Sequence, residues 1–141
     1  MRLSADEALT RLAAHDHGVL STVHPDRGVD SVPCVFAVVD GFVGVPVDIV
    51  KPKSSTVLQR ERNLAADPRA ALLVDHWHPH DWSRLWWARA ELTWLASPTD
   101  AQVEALAMAL AARYQQYADR PFARVLLFRV GDVTGWSAAP P

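Results

Sequence analysis

Between Lys51 and Arg69 the chain carries five cations, Lys51, Lys53, Arg60, Arg62 and Arg69, against two anions, Glu61 and Asp67. That local balance of +3 stands on a chain of net charge −2. A basic cluster on an acidic protein points to a bound anion. The residues in front of it supply complementary chemistry. Lys51-Pro52-Lys53-Ser54-Ser55-Thr56 brings two ammonium groups and three hydroxyls to the point where a helix over 55–66 is expected to open. Ser54 or Ser55 can cap that helix, and its unpaired N–H groups and dipole suit a phosphate. Val57, Leu58, Leu64 and Ala65 form its apolar stripe, and Asp67-Pro68 ends it. The same pattern also describes a solvated basic helix face with an ordinary serine cap.

The other groups that could do chemistry are fewer. His76, His78 and His80 occupy alternate positions, which in a straight strand would point one way and could hold a metal. Pro79 breaks the strand, and exposed loop histidines are the competing reading. Four of the six tryptophans, Trp77, Trp82, Trp86 and Trp87, fall within eleven residues. Singly each reads as core; as a set near a cationic pocket they suit a planar ring system. Cys34 is the one cysteine, which excludes an internal disulfide, and within an apolar strand it reads as a small buried residue. Neither a GxSxG nucleophile elbow nor a GxGxxG or GxxxxGK[ST] phosphate loop occurs.

The elements that must position these residues follow from pattern. Ser4 and Glu7 form a capping box ahead of a short helix with Leu9, Leu12 and Ala13 on one face. Val19 to Val23 and Val29 to Val39 read as strands around a Pro25–Gly28 turn, with Pro33 marking an edge or a bulge. Asp40-Gly41 is a hairpin turn leading into a third strand from Phe42 to Val47, interrupted by Pro46. Arg69 to Trp77 is a near-continuous apolar run, as for a stave buried on both faces. From Arg84 to Leu95, Trp86, Ala88, Ala90, Leu92 and Trp94 share one face and Leu85, Trp87, Arg89, Glu91, Thr93 and Leu95 the other; both carry bulky groups, so one fills the barrel and the other could meet a second subunit. Ser97-Pro98-Thr99-Asp100 starts a helix capped by Ser97, on which Val103, Leu106, Ala107, Leu110, Tyr114 and Tyr117 repeat; these tyrosines read as packing. Arg124 to Val130 is a last strand, with Gly131 and Gly135 allowing a bend, and Ala138–Pro141 reads as a disordered tail. Short antiparallel strands with three helices predict a mainly β, α+β barrel over residues 1–141 as one domain. Half of the 141 residues are hydrophobic, enough for a core without disulfide or metal. The mildly acidic charge argues against nucleic acid, and no apolar run approaches a membrane helix or a secretory signal. A soluble, cytoplasmic protein is expected.

The run KPK, then a helix ending RNL, then DPRAALLVD and DWSRLWWAR, resembles the pyridoxamine 5′-phosphate oxidase-like split β-barrel superfamily. Within it, the closest branch is the coenzyme F420-dependent oxidoreductases. The resemblance runs from Gly18 to Gly135-Trp136. It implies a split, FMN-binding-like Greek-key barrel and a homodimer with a cofactor cleft between subunits. It also implies phosphate contacts from Lys51, Lys53, Ser54, Ser55 and Thr56, with Arg60 and Asn63 nearby. The ring system would lie along Pro33, Cys34, Val47 and Asp48, and the partner subunit would contribute Trp77, Trp82, Trp86 and Trp87. The implied activity is hydride transfer between reduced F420 and an unsaturated small-molecule substrate. FMN in the same fold is the first alternative; a non-enzymatic cofactor or haem carrier using His76, His78 or His80 is the second.

Overall fold

The computed structural model describes residues 1–48 and 57–140. In chain order the elements are α1 (Ala5–Ala14), β1 (Gly18–His24), β2 (Gly28–Cys34), β3 (Ala37–Val39), β4 (Phe42–Asp48), α2 (Gln59–Ala66), β5 (Arg69–His76), β6 (Trp86–Trp94), α3 (Asp100–Arg113) and β7 (Phe122–Ser137). The seven strands form one antiparallel sheet in the order β2-β1-β5-β6-β7-β4-β3. This is the α+β antiparallel barrel expected from the pattern, in the split form that the resemblance implies.

Local chemistry explains where the elements begin. Ser4 Oγ accepts from the Glu7 N–H at 3.2 Å, so it caps α1. The Glu7 carboxylate turns to Arg11 instead of closing a capping box. Asp40 and Gly41, at φ 50° and 80°, form the tight turn joining β3 to β4, a conformation that glycine adopts without penalty. Thr99 rather than Ser97 caps α3: its Oγ1 accepts from the Gln102 N–H, and Gln102 Oε1 accepts from the Thr99 N–H.

Several expected boundaries move. The single strand over 29–39 is two, because β2 ends at Cys34 and the chain resumes as β3 at Ala37. Pro33 is tolerated because β2 is a sheet edge. Pro46 does not interrupt β4: on that stretch β4 pairs with β7 on one side only, since β3 covers no further than Gly44. β5 is not buried on both faces. Leu72 and Val74 are sealed in the core while Leu73 between them is 39% exposed. Trp82–Arg84 form a short 3-10 turn before β6. Tyr114 and Tyr117 lie beyond the last turn of α3, and Ala138 is tied by its N–H to Leu85 O.

The barrel interior is filled by Leu20, Phe36, Val43, Val45, Val47, Leu72, Val74, Ala88, Ala90, Leu126 and Phe128, closed at one end by Leu3, Ala8 and Leu12. A second cluster, Ala37, Leu106, Ala107, Leu110, Val125 and Leu127, seals α3 against β3, β4 and β7. The strand that unites them is β7. Its first half pairs with β4 and its second with β6, and the register shift opposite Glu91 gives two residues, Gly131 and Asp132, where the partner has one. That bulge bends the strand between the two halves of the barrel.

Gly135 lies where α1 and the N-terminal segment press onto β7. A Cβ there would stand 2.9 Å from Trp87 O, 3.0 Å from Leu3 Cδ1 and 3.1 Å from Ala8 Cβ. Gly135→Ala is therefore expected to lower unfolding free energy by about 1–3 kcal/mol, the usual overpacking cost. A urea titration followed by tryptophan fluorescence measures it.

Candidate functional site

Where α3 runs out, the chain leaves a cavity of about 330 Å³. The end of β2 presents Pro33 and Cys34 to it, with Val35 following. From β4 come Pro46 and Asp48, from α2 Arg60, from the turn after α3 Tyr117, and from the lead into β1 His17. Alternation along β4 sets its share: Val43, Val45 and Val47 fill the barrel, so Pro46 and Asp48 face outward.

α2 is held in place by charge and amide chemistry rather than by an apolar face. It begins at Gln59, with Leu58 at the cap, four residues after the expected start. Glu61 Oε1 accepts from the Leu58 N–H at 3.2 Å, while leucine has no oxygen to return the bond. Arg124 of β7 grips the same carboxylate at 2.6 and 2.8 Å. Burial works against ionisation of Glu61, but the bonds from Arg124 and Leu58 more than offset it and the carboxyl sits below its usual range. Asn63 is fully buried; its amide donates to Thr22 Oγ1 at 3.0 Å and Asp30 Oδ2 at 2.9 Å and accepts from Gln59. Val57 and Ala65, expected on the apolar stripe, are exposed, and Leu64 is buried.

Thus fixed, α2 delivers Arg60 to the cavity. Among the described residues, Arg60 Nε is the one buried side-chain nitrogen or oxygen with no hydrogen-bond partner. A buried guanidinium N–H in that state invites an anionic acceptor, to which it can donate a charge-assisted bond. Opposite it, the Tyr117 hydroxyl donates to Asp48 Oδ1 at 2.7 Å. Burial, then the adjoining Asp48, pushes the Tyr117 phenol up to about 12. Burial pushes the Cys34 thiol up to about 11, against the pull of Arg60, so it is no thiolate nucleophile at neutral pH.

The structure therefore brings together Pro33, Cys34, Asp48 and Arg60 from the expected set. It separates two others. Val47 is 1% exposed and belongs to the barrel core, and Asn63 spends its amide on fastening α2 to the β1–β2 hairpin. Lys51, Lys53, Ser54, Ser55 and Thr56 lie outside the described residues. The tryptophans do not line this cavity within the chain. Trp77 and Trp82 are 55% and 69% exposed. Trp86 is held by its own chain, with Arg11 above the ring at 5.5 Å, His15 edge-on at 5.4 Å and His76 stacked at 6.2 Å. Trp87 stands on the outer face of β6 beside Leu73, Leu85 and Arg89. His17, Val35, Pro46 and Tyr117 are lining residues that sequence reasoning missed; only the parity of β4 signalled any of them, through Pro46. His78 and His80 have ring centroids 6.1 Å apart in the loop after β5, whereas His76 packs on Trp86.

No protein-family model matches the chain, and no curated protein does. Solved structures do match. A FAD-binding protein from Mesorhizobium loti shares 17% identity over 96% of this chain and 95% of its own, with a TM-score of 0.70. A candidate pyridoxamine 5′-phosphate oxidase from Corynebacterium glutamicum shares 16% over 96% and 90%, at 0.58. A heme-binding protein from Mycobacterium smegmatis shares 16% over 98% of this chain and 60% of its own, at 0.70. At such identities they establish the fold, that of the flavin-binding split barrels, and leave the ligand to be argued from the site.

The chain has two tyrosines, Tyr114 and Tyr117, and both phenols are displaced upward. An absorbance titration of the native protein should place both phenolate transitions above about pH 10, the ordinary tyrosine value. Tyr117→Phe should remove the later-titrating of the two. Because the folded value lies above the unfolded one, this stabilisation is whole below about pH 10 and is lost as the pH rises towards 12.

Proposed function

We propose that this cavity receives the redox-active cofactor of an oxidoreductase, and that the cofactor is the deazaflavin F420, with FMN the second reading. The observation that carries the proposal is Arg60, which lines the cavity and whose Nε is buried with no hydrogen-bond partner among the described residues; the other described lining residues are apolar or neutral except for Asp48 and His17. A flavin or deazaflavin combines a flat ring with an anionic tail. Pro33, Cys34, Val35 and Pro46 suit the first, and Arg60 suits the second. In sequence, Lys51 and Lys53 stand between Asp48 and Arg60, both cavity residues, so the +3 cluster adds to the same electrostatic argument. The carboxylate-rich tail of F420 makes more use of that charge than a single phosphate does. Fold likeness to FAD-binding proteins supports a flavin-type ligand in general.

When bound, such a cofactor supplies the two-electron chemistry. The chain's own residues bind and orient it. Arg60 donates to an anionic oxygen. The protonated Tyr117, bonded to Asp48, fixes that carboxylate and offers a neutral wall. The thiol of Cys34 stays protonated and packs as a small apolar group. No acid–base dyad is required of the protein, and the small-molecule substrate would be an unsaturated compound accepting a hydride.

The decisive experiment is equilibrium binding of F420 and FMN, side by side, to apo-protein. Tighter binding of F420, weakened at least tenfold by Arg60→Ala, is the expected outcome; a charged hydrogen bond is worth about 1.5–3 kcal/mol. Tighter FMN binding selects the second reading. Binding of neither, or full affinity in Arg60→Ala, rejects the cavity.

A homodimer is part of the proposal. Leu73, Trp87 and Trp136 lie on one outer face of β5, β6 and β7, paired through Asp75–Trp87 and Trp87–Trp136, and Leu73 and Trp136 are each more than a third exposed. In the dimer proposed, the exposed Trp77 and Trp82 are the side chains offered to the partner subunit. Light scattering should give twice the monomer mass, and Leu73→Glu, which puts a charge on that face, should return it to monomer. A monomeric wild-type chain would remove the partner tryptophans from the site.

A further inference from the structure

We infer a second site, for a divalent transition metal, at the junction of α1 and β1. His15, Asp16 and His17 each offer one ligand atom there, and the three atoms all lie within 4.8 Å of one another. Two imidazoles and one carboxylate are a donor set that zinc and its neighbours accept. Bonds of about 2.0–2.2 Å in tetrahedral array put donors about 3.4 Å apart, so modest side-chain rotations close the set.

The backbone is already built for it. Three carbonyls of the α1 exit, those of Ala13, His15 and Asp16, are tied down from the far end of α3. Arg113 Nη1 donates to Ala13 O at 2.9 Å, Arg113 Nη2 donates to His15 O, and the Tyr114 hydroxyl donates to Asp16 O at 2.7 Å. His15 is further set by its edge-on contact with Trp86. Asp16 Oδ1 stands 2.6 Å from His17 Nδ1, which orients that ring. Ligands immobilised in this way lose little freedom on binding a cation. Asp75, within electrostatic reach of His15, adds negative charge on the other side. The Asp16 and His17 side chains are mostly exposed, at 79% and 67%, so a metal can enter from solvent and keep water in its remaining positions.

The site differs from the histidine pattern that the sequence displays most openly. His76 is stacked on Trp86, while His78 and His80 sit in the loop that follows, so alternation did not bring the three to one point. It is also separate from the cofactor reading, although His17 touches both places.

The test is calorimetric titration of ZnCl₂ into tag-free, chelator-treated full-length protein with no cofactor added. Visible spectra with Co²⁺ report the coordination. One zinc per chain is expected, with affinity falling at least about tenfold in His17→Ala and in Asp16→Asn, and unchanged in the double variant His78→Ala/His80→Ala. His15→Ala should do the same; should it unsettle Trp86, the exposed His17 decides. No saturable zinc binding by the wild type, full affinity in His17→Ala, or loss of binding with His78 and His80 would each overturn the assignment. None of these outcomes depends on what the cavity beside Arg60 holds.

Discussion

Glu61 takes two hydrogen bonds from Arg124, and through that grip α2 is fastened to β7. The helix is eight residues long, with one buried apolar side chain, Leu64, so it has little hydrophobic reason to stay where it is. Its second anchor is Asn63, whose buried amide reaches Thr22 and Asp30 across the β1–β2 hairpin. A buried amide left unpaired costs more than its bond returns, which makes this anchor specific in register. Slide α2 by one residue and both anchors fail together. Arg60, directly before the first of them on the helix, would leave the cavity. The electrostatics of the candidate site thus depend on polar contacts outside it.

The same fold serves proteins described as binding FAD and heme, and a candidate oxidase. A barrel of this kind supplies a rigid wall and an opening, and its ligand is chosen by the few groups placed at the rim. Here the groups that distinguish the rim are one arginine whose Nε has no partner among the described residues, one carboxylate bonded to a phenol, and a thiol kept neutral by burial. That set binds and orients; it does not by itself move protons to or from a substrate.

How much of this could be read in advance varied with the range of the interaction. The Asp40-Gly41 hairpin and the Ser4 cap are decided by neighbours in sequence, and both were legible. So was the alternation of β6, although bulky groups on both faces hid that the one with Ala88, Ala90 and Leu92 turns inward. The expected cavity pair Val47 and Asp48 was half right for a reason of parity: adjacent strand residues point oppositely, so Asp48 comes with Pro46 and Val47 goes to the core. Asn63 looked like a ligand contact, since its true partners, Thr22 and Asp30, are more than thirty residues away. Tyr117 read as helix packing because Tyr114 and Leu110 precede it at helical spacing; the helix ends first, and the phenol turns to Asp48. Helix α2 began late because Glu61, rather than a serine, defines its first turn.

The position of β7 has a consequence for how the chain comes into being. Residues 122–129 are the partners of β4, residues 128–137 the partners of β6, and the Met1 ammonium and the Arg2 backbone meet Ser137 and Trp136. During synthesis on a ribosome, therefore, neither half of the barrel can close until β7 has emerged. Pairings this distant in sequence also make for slow folding once it has. Meanwhile the open edges of β4 and β6 wait exposed, the kind of edge that other nascent chains can pair with. In such a molecule the interval between leaving the tunnel and closing the sheet is where a chaperone would have most to do.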